Sequence, residues 1–218
     1  MFSRTISLIG EENFRKLQNS RVLVVGLGGV GGYIMESLVR SGIGTIGLCD
    51  FDIVERSNLN RQILATQYTV GMKKVDAAAD RAASINPDIK IVKYPFKLTN
   101  PEILNLGFWN FVADAIDDVP AKLALMEAAR GKIISSMGTG NKMDAFSYQI
   151  TTIGKTEGDP LARSIRKQLR ERGIDDIPVL YSKESPICDG TKPIPTISYM
   201  PAVAGLEISS YIIKKLLA

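Results

Sequence analysis

Short apolar runs alternate with longer segments of helical spacing along the first two thirds of the chain. The short runs predict five strands, and the longer segments predict the helices between them. The expected strands span residues 21–25, 45–49, 89–94, 110–115 and 132–136, and the expected helices span 29–41, 69–85, 101–106 and 120–130. Because strands and helices alternate, we predict an α/β fold of Rossmann-like type with a doubly wound, mostly parallel sheet.

This alternation changes after about residue 146. Residues 143–153 alternate like a short antiparallel pair, and Asp159-Pro160 begins a basic helix. Five of the ten prolines fall between Pro178 and Pro201, which predicts a long crossover loop over the ligand-binding face. A helix at 202–218 is expected to close the core.

The length of 218 residues suits one large domain rather than two. We therefore expect a single domain over residues 1–218, with a ligand-binding core in 1–140 and the crossover loop, basic helix and closing helix in 141–218. The net charge of +4 is only a weak indication of polyanionic partners. The closing helix carries Glu207, Lys214 and Lys215 and no signal sequence is evident, so we expect no membrane association and a cytoplasmic location.

The absence of some residue types restricts the chemistry. The chain has no histidine, so no histidine acid, base or metal ligand operates. Its two cysteines, Cys49 and Cys188, are too few for a structural zinc site of four thiolates, so no zinc is expected. Cys188 lies in the proline-rich segment with an acidic neighbour, Asp189, and we expect it to take no part in catalysis.

A glycine-rich turn follows the first expected strand. Gly26, Gly28, Gly29 and Gly31 would let the backbone approach a phosphate, whose charge the N-terminus of the next helix favours. Asp50 ends the second strand, where a carboxylate can accept hydrogen bonds from ribose hydroxyls. These residues alone fit NAD, FAD and ATP equally well.

Cationic and metal-binding side chains favour ATP among these nucleotides. Arg61 offers a bidentate guanidinium and Lys74 a point charge, a pairing expected around a triphosphate. Asp117 follows the fourth strand, at the sheet edge where ligands bind, and can hold Mg²⁺ between phosphates. The sequence therefore predicts ATP and Mg²⁺ as ligands.

These motifs, taken in order, resemble the ubiquitin-activating (E1-like) superfamily of adenylating enzymes. They are Gly-x-Gly-Gly-x-Gly, Asp-x-Asp-x-Val-x-x-Ser-Asn-Leu-x-Arg-Gln, Val-Gly-x-x-Lys and Asp-x-x-Asp, over about Arg4 to Gly140. The resemblance implies that the ATP-binding core uses Asp50 for the ribose, with Asp52 in the same motif, and Asp117 for magnesium. The implied phosphate ligands are Asn58, Arg61, Gln62 and Lys74.

The same resemblance implies a partner subunit. Arg4 matches the family arginine that reaches the phosphates of the other subunit, which implies a homodimer with two shared sites. The implied reaction is attack of a substrate carboxylate on the α-phosphate of ATP. Positive charge from Arg4, Arg61 and Lys74 would stabilise the charge that builds on the phosphates.

The substrate carboxylate has two candidates. In one branch it is the C-terminal glycine of a ubiquitin-like sulfur carrier, and those enzymes usually carry four zinc cysteines, which this chain lacks. The segment Lys155-Thr-x-x-Asp-Pro-Leu-Ala-Arg resembles instead the branch that dehydrates N6-threonylcarbamoyladenosine in tRNA to its cyclic form. Carrier adenylation, with a ubiquitin-like or sulfur-relay protein as partner, remains the alternative.

The basic helix supports an RNA substrate. Its cations are spaced i, i+3, i+4 and i+7, which places them in one stripe that could contact an RNA backbone; they are Arg163, Arg166, Lys167 and Arg170. The opposite side carries Leu161, Ile165 and Leu169, which we expect to pack inward. An ordinary solvated helix face is the alternative interpretation of the stripe.

Overall fold

The computed structural model describes residues 1–188 and 193–218. Asp189, noted above as the neighbour of Cys188, lies outside the described residues.

One seven-stranded sheet runs through the molecule. Its strands are β1 (Arg21–Val25), β2 (Thr45–Cys49), β3 (Lys90–Tyr94), β4 (Phe111–Asp114), β5 (Ile133–Ser136), β6 (Tyr148–Thr152) and β7 (Pro178–Ser182). The spatial order is β3-β2-β1-β4-β5-β7-β6, and every pair is parallel except β6 with β7. The order reverses at β1, as in a doubly wound fold, so the predicted fold class is confirmed.

Helices cover both faces of this sheet. They are α1 (Ser3–Ile9), α2 (Glu11–Asn19), α3 (Gly29–Ser41), α4 (Lys74–Ile85), α5 (Val119–Ala128), α6 (Pro160–Arg170) and α7 (Tyr199–Leu217). Within the described residues, none of these helices has the length and apolar character needed to cross a bilayer.

Two hydrophobic cores follow from the alternation of side chains along each strand. Val22 and Val24 of β1 face a core shared with α3, α4 and α7. Leu23 and Val25 face the opposite core, shared with α5 and α6. A central strand buried on both faces explains the continuous apolar run that the sequence shows there.

Two expected elements near the C-terminal part differ in the structure. Residues 143–153 do not form an antiparallel pair, because β6 pairs instead with β7. The expected crossover loop therefore begins later than residue 178, after β7 has entered the sheet beside β5. Pro178 tolerates this position because it is the first residue of its strand.

Two expected helices are also shorter or irregular. Residues 69–73 are not helical, since the Thr69 hydroxyl accepts a hydrogen bond from the Thr66 N–H (2.8 Å) and donates to the Leu64 carbonyl (2.7 Å). These contacts close a turn, and α4 begins only after it, at Lys74. The expected helix at 101–106 is replaced by two short 3₁₀ turns, separated by Asn105 in a left-handed conformation (φ 45°).

Candidate active site

A cavity of about 600 Å³ opens at the carboxyl ends of β1, β2, β4 and β5. This is the edge of a doubly wound sheet where ligands bind. Most of the site residues expected from the sequence line it: Gly26, Gly28, Gly29, Asp50, Asp52, Asn58, Arg61, Gln62, Lys74 and Asp117. Folding thus brings the glycine turn, the segment after β2 and the segment after β4 around one space.

The glycine turn connects β1 to α3, and Gly26 and Gly31 leave no room there for a side chain. A Cβ atom at Gly26, where φ is +89°, would lie 2.6 Å from the Ala115 carbonyl oxygen. A Cβ atom at Gly31 would lie 1.7 Å from the Gly26 carbonyl oxygen. Gly31 does not line the cavity, so it supports the turn from behind while Gly28 and Gly29 face the ligand space.

Asp50 and Asp52 shape the turn and the base of the cavity. The Asp50 carboxylate accepts hydrogen bonds from the Leu27 N–H (2.6 Å) and the Asp52 N–H (2.8 Å). The Asp52 carboxylate pairs with the Lys74 ammonium at 2.8 Å. Lys74 is only 6% exposed, so this partner holds its charged end at the cavity wall.

Three polar side chains at the cavity come from the short 3₁₀ turn at Arg56–Asn58 and from the residues directly after it. Asn58 closes this turn, because its side-chain Oδ1 atom accepts a hydrogen bond from the Glu55 N–H (3.1 Å). The Arg61 guanidinium donates to the Ser57 carbonyl and to Asn60 Oδ1, both at 2.9 Å. A guanidinium has five N–H donors, so other N–H groups of Arg61 do not take part in these two bonds. Gln62 is 7% exposed, and its Oε1 atom has no hydrogen-bond partner among the described residues.

Two neighbouring aspartates after β4 have different surroundings. Asp118 caps α5 by accepting from the Ala121 N–H (3.0 Å) and pairs with Lys97 (3.2 Å). The hydrogen bond from Ala121, then the contact with Lys97, holds the pKa of Asp118 below its usual value. Asp117 is exposed and forms neither a hydrogen bond nor an ion pair within the described part of the chain.

A buried ion pair behind this segment was not expected from the sequence. Lys122 and Asp114, both completely buried, pair at 2.8 Å. The Lys122 ammonium also donates to Ser135 Oγ (3.1 Å) and the Ser136 carbonyl (3.0 Å). The pair therefore joins the ends of β4 and β5 under the cavity, and the only sequence signal for it is a lysine in an apolar helix segment.

Arg4 does not lie at the cavity. It is exposed on α1, a helix with no buried residue, and it is absent from the residues that line the cavity. Its expected role at the partner's phosphates therefore stays a prediction.

The four cations of α6 lie together along one shallow groove, as the helical spacing predicts. Asp159 caps this helix and Ala162, Ile165 and Leu169 are buried on its inner side. Arg166 also donates to the carbonyl and the hydroxyl of Thr156, so it is half-buried while Arg163, Lys167 and Arg170 are exposed. Leu161 is half-buried and packs against the core as expected, and it also lines the cavity.

The two cysteines are unpaired and differ in environment. Burial, followed by the charge of Asp50, raises the pKa of the Cys49 thiol to about 12, so this residue belongs to the core. Cys188 is exposed. No group of three or more Cys, Asp or Glu side chains is placed to hold a metal ion in residues 1–188 and 193–218.

Comparison with known proteins supports the interpretation of these motifs. The family model of the ThiF family matches residues 2–218. The tRNA threonylcarbamoyladenosine dehydratase of Bacillus subtilis is 37% identical over 240 residues, which cover 99% of this chain and 94% of the relative. A sulfur carrier protein adenylyltransferase of Thermus thermophilus is 37% identical over 122 residues, 56% of this chain and 45% of that protein.

A solved structure shares the whole fold. The E. coli tRNA N6-threonylcarbamoyladenosine dehydratase in complex with ATP is 30% identical to this chain, with a TM-score of 0.91. The alignment covers 99% of this chain and 93% of that one. The resemblance to the E1-like superfamily and to its dehydratase branch is thereby confirmed. The chain belongs to the ThiF family.

Proposed function

We propose that this protein uses ATP to adenylate the threonyl carboxylate of N6-threonylcarbamoyladenosine in tRNA and then closes the ring with loss of water. One observation carries the choice between the two branches. Similarity to the dehydratases runs over 99% of the chain, whereas similarity to the sulfur carrier adenylyltransferase covers 56%.

The cavity suits ATP as its co-substrate. Its glycine turn leaves room for phosphates beside the N-terminus of α3. The buried Oε1 atom of Gln62 has no partner among the described residues, and buried polar atoms are rarely left without one. Asp50 would accept the ribose hydroxyls, while Asn58, Arg61, Gln62 and Lys74 would hold the phosphates.

Magnesium would enter with the nucleotide. Asp117 is an exposed carboxylate at the cavity wall, and Mg²⁺ commonly takes one carboxylate together with phosphate oxygens and water. The bound ion would neutralise phosphate charge. No zinc is required in this proposal.

The first chemical step is a substitution at phosphorus. A carboxylate oxygen of the substrate forms a bond to the α-phosphorus of ATP, and the bond from that phosphorus to the bridging oxygen breaks, releasing pyrophosphate. Lys74 and Arg61 would stabilise the charge on the departing phosphates. Lys74 has three ammonium hydrogens, so it can contact a phosphate while it stays paired with Asp52.

The second step is intramolecular. The carbamoyl group of the same nucleoside attacks the acyl carbon, loses a proton to solvent, and AMP departs with the former carboxylate oxygen. Because nucleophile and acyl group belong to one nucleoside, no external nucleophile is needed. The nucleoside has then lost the elements of one water molecule.

The RNA would bind on the α6 stripe, and a second subunit would complete the site. Arg163, Lys167 and Arg170 offer exposed cations for RNA phosphates. Arg4 lies on α1, which packs on α2 and buries none of its own residues. In a homodimer this arm could carry Arg4 to the partner's phosphates. A cytoplasmic location would place the enzyme with tRNA.

The test combines the purified protein with ATP, Mg²⁺ and tRNA that carries threonylcarbamoyladenosine, followed by mass measurement of the nucleosides. We expect one water to be lost from that nucleoside, with AMP and pyrophosphate released. Asp117→Ala should abolish the reaction and leave the circular dichroism spectrum unchanged. The control is Asp176→Ala, which removes an exposed aspartate paired with Arg130 and should retain the activity.

Carrier adenylation is the alternative that the similarity to the sulfur carrier adenylyltransferase favours. Pyrophosphate exchange that needs a small ubiquitin-like protein ending in Gly-Gly, with the tRNA unchanged, would replace the dehydratase by this activity. A sulfur-relay partner would then be expected as well.

A further inference from the structure

A second buried ion pair lies between the cavity and the basic stripe. The side chains of Lys142 and Asp159 are 2% and 1% exposed, and the Lys142 ammonium lies 2.8 Å from Asp159 Oδ2. Neither residue lines the cavity or the groove of α6. The pair therefore touches neither ligand space directly, although it is adjacent to both.

Lys142 holds the loop that forms one wall of the cavity. Its ammonium donates to the Gly138 carbonyl (3.2 Å) and more weakly to the Ser182 carbonyl at the end of β7 (3.4 Å). Gly138, Thr139 and Gly140 line the cavity. A single buried cation thus joins this loop to the sheet.

Asp159 holds the beginning of α6. Its Oδ1 atom accepts a hydrogen bond from the Ala162 N–H (2.8 Å), so the same carboxylate caps the helix and binds Lys142. A Cβ atom at Gly138 would lie 3.2 Å from Asp159 Oδ2, which shows how closely the loop packs on the helix start.

The first turns of α6 face both ligand spaces. Leu161 lines the cavity, and Arg163 lies two residues later on the groove of the stripe. Among the described residues, the Lys142–Asp159 pair is the only ion pair that links loop 138–140 to the start of α6.

We propose that Lys142 is a positioning residue that holds loop 138–140 and the N-terminus of α6 in one fixed relation, so that RNA bound to the stripe presents its carboxylate to the nucleotide. The inference rests on the proposed function above. A buried ion pair suits this role, because loss of either partner leaves an unpaired buried charge and forces the segments to rearrange. Small displacements of this kind reduce the rate rather than the affinity.

The test is single-turnover conversion of modified tRNA by Lys142→Met. We expect the rate with both ligands saturating to fall about tenfold or more, since misplacement by about 1 Å can cost up to about 100-fold. Equilibrium affinities for ATP alone and for tRNA alone should remain those of the wild type. A loss of stability by itself would not separate the rate from the two affinities in this way.

Three further variants make the outcome decisive. Asp159→Asn keeps an oxygen to cap α6 and removes the charge, and it should lose as much rate as Lys142→Met. The double variant should lose no more than either single variant, because the two residues act as a unit. Lys132→Met is the matched control, since Lys132 also donates to two carbonyls, those of Leu106 and Trp109, but away from the cavity.

Each contrary result has a defined meaning. A wild-type rate in Lys142→Met, or a rate loss that matches a loss of ATP affinity, overturns the positioning role. If Lys142→Met does not fold, Lys142→Gln retains donors for the Gly138 and Ser182 carbonyls and is judged by the same criteria. Failure of the wild-type protein to convert tRNA overturns the proposed function, and this inference with it.

Discussion

Gln62 combines burial with an unsatisfied oxygen at the cavity wall. Such an atom costs about 1–3 kcal/mol of folding free energy when nothing bonds to it. We predict that Gln62→Leu raises the free energy of unfolding without nucleotide by about 1 kcal/mol and weakens ATP binding. Urea unfolding and calorimetric titration with ATP measure the two effects.

The opposite signs of these effects separate a ligand contact from a packing contact. Gln149→Leu is the matched control, because Gln149 is exposed on β6 and outside the cavity. It should leave ATP affinity unchanged. A Gln62→Leu protein that binds ATP like the wild type would remove Gln62 from the site.

Asp118 links the acid stability of the protein to the α5 cap. Its pKa is lower in the folded chain than the usual value near 3.8, so the ionised form stabilises the fold above that pH. This contribution is lost as the pH falls through the lowered pKa. We predict that Asp118→Asn, which keeps a capping oxygen, melts below the wild type at neutral pH and equals it only in acid below the lowered pKa of Asp118. Thermal melts at both pH values test this, and an equal gap at both would contradict it.

At the scale of elements, α6 joins an apolar inner side to a cationic outer side. If the stripe contacts RNA phosphates, Arg163→Ala should weaken tRNA binding to a similar degree whatever the RNA sequence. It should also reduce, by about 1, the magnitude of the slope of the logarithm of the association constant against the logarithm of the salt concentration. Filter binding at several salt concentrations measures the slope.

Lys90→Ala provides the comparison for α6, because Lys90 is an exposed lysine on the edge strand β3. Its loss should leave the slope unchanged. Equal slopes for wild type and Arg163→Ala would make the stripe an ordinary solvated surface.

Arg166→Ala should also lower the melting temperature, because Arg166 donates a hydrogen bond to Thr156.

At the scale of the whole molecule, the proposed homodimer predicts complementation. Arg4→Ala and Asp117→Ala should each inactivate a dimer whose sites take Arg4 from the partner. Mixed subunits that exchange freely would regain about a quarter of wild-type activity, because half the dimers would carry one intact site of two. Activity after co-expression tests this, and no recovery from a mixture shown to be dimeric would contradict a shared site.

The candidate site was largely predictable because its signals are local in sequence. A glycine turn between a strand and a helix has few conformations, and parallel strands carry their following residues to one edge. Gly26, Asp50, Arg61 and Asp117 therefore line one cavity as predicted. The start of α6 was also predictable, because Asp159-Pro160 is a cap signal contained in two residues.

The sequence by itself determined the fold class, the family and most of the polar residues that line the cavity, since periodicity and capping act over a few residues. Only the tertiary structure decided that β7 enters the sheet between β5 and β6, because strand pairing joins distant segments. It also decided that Lys122 and Lys142 are buried against Asp114 and Asp159. A lysine looks solvated in any local window, and only the folded chain shows the carboxylate that compensates its burial.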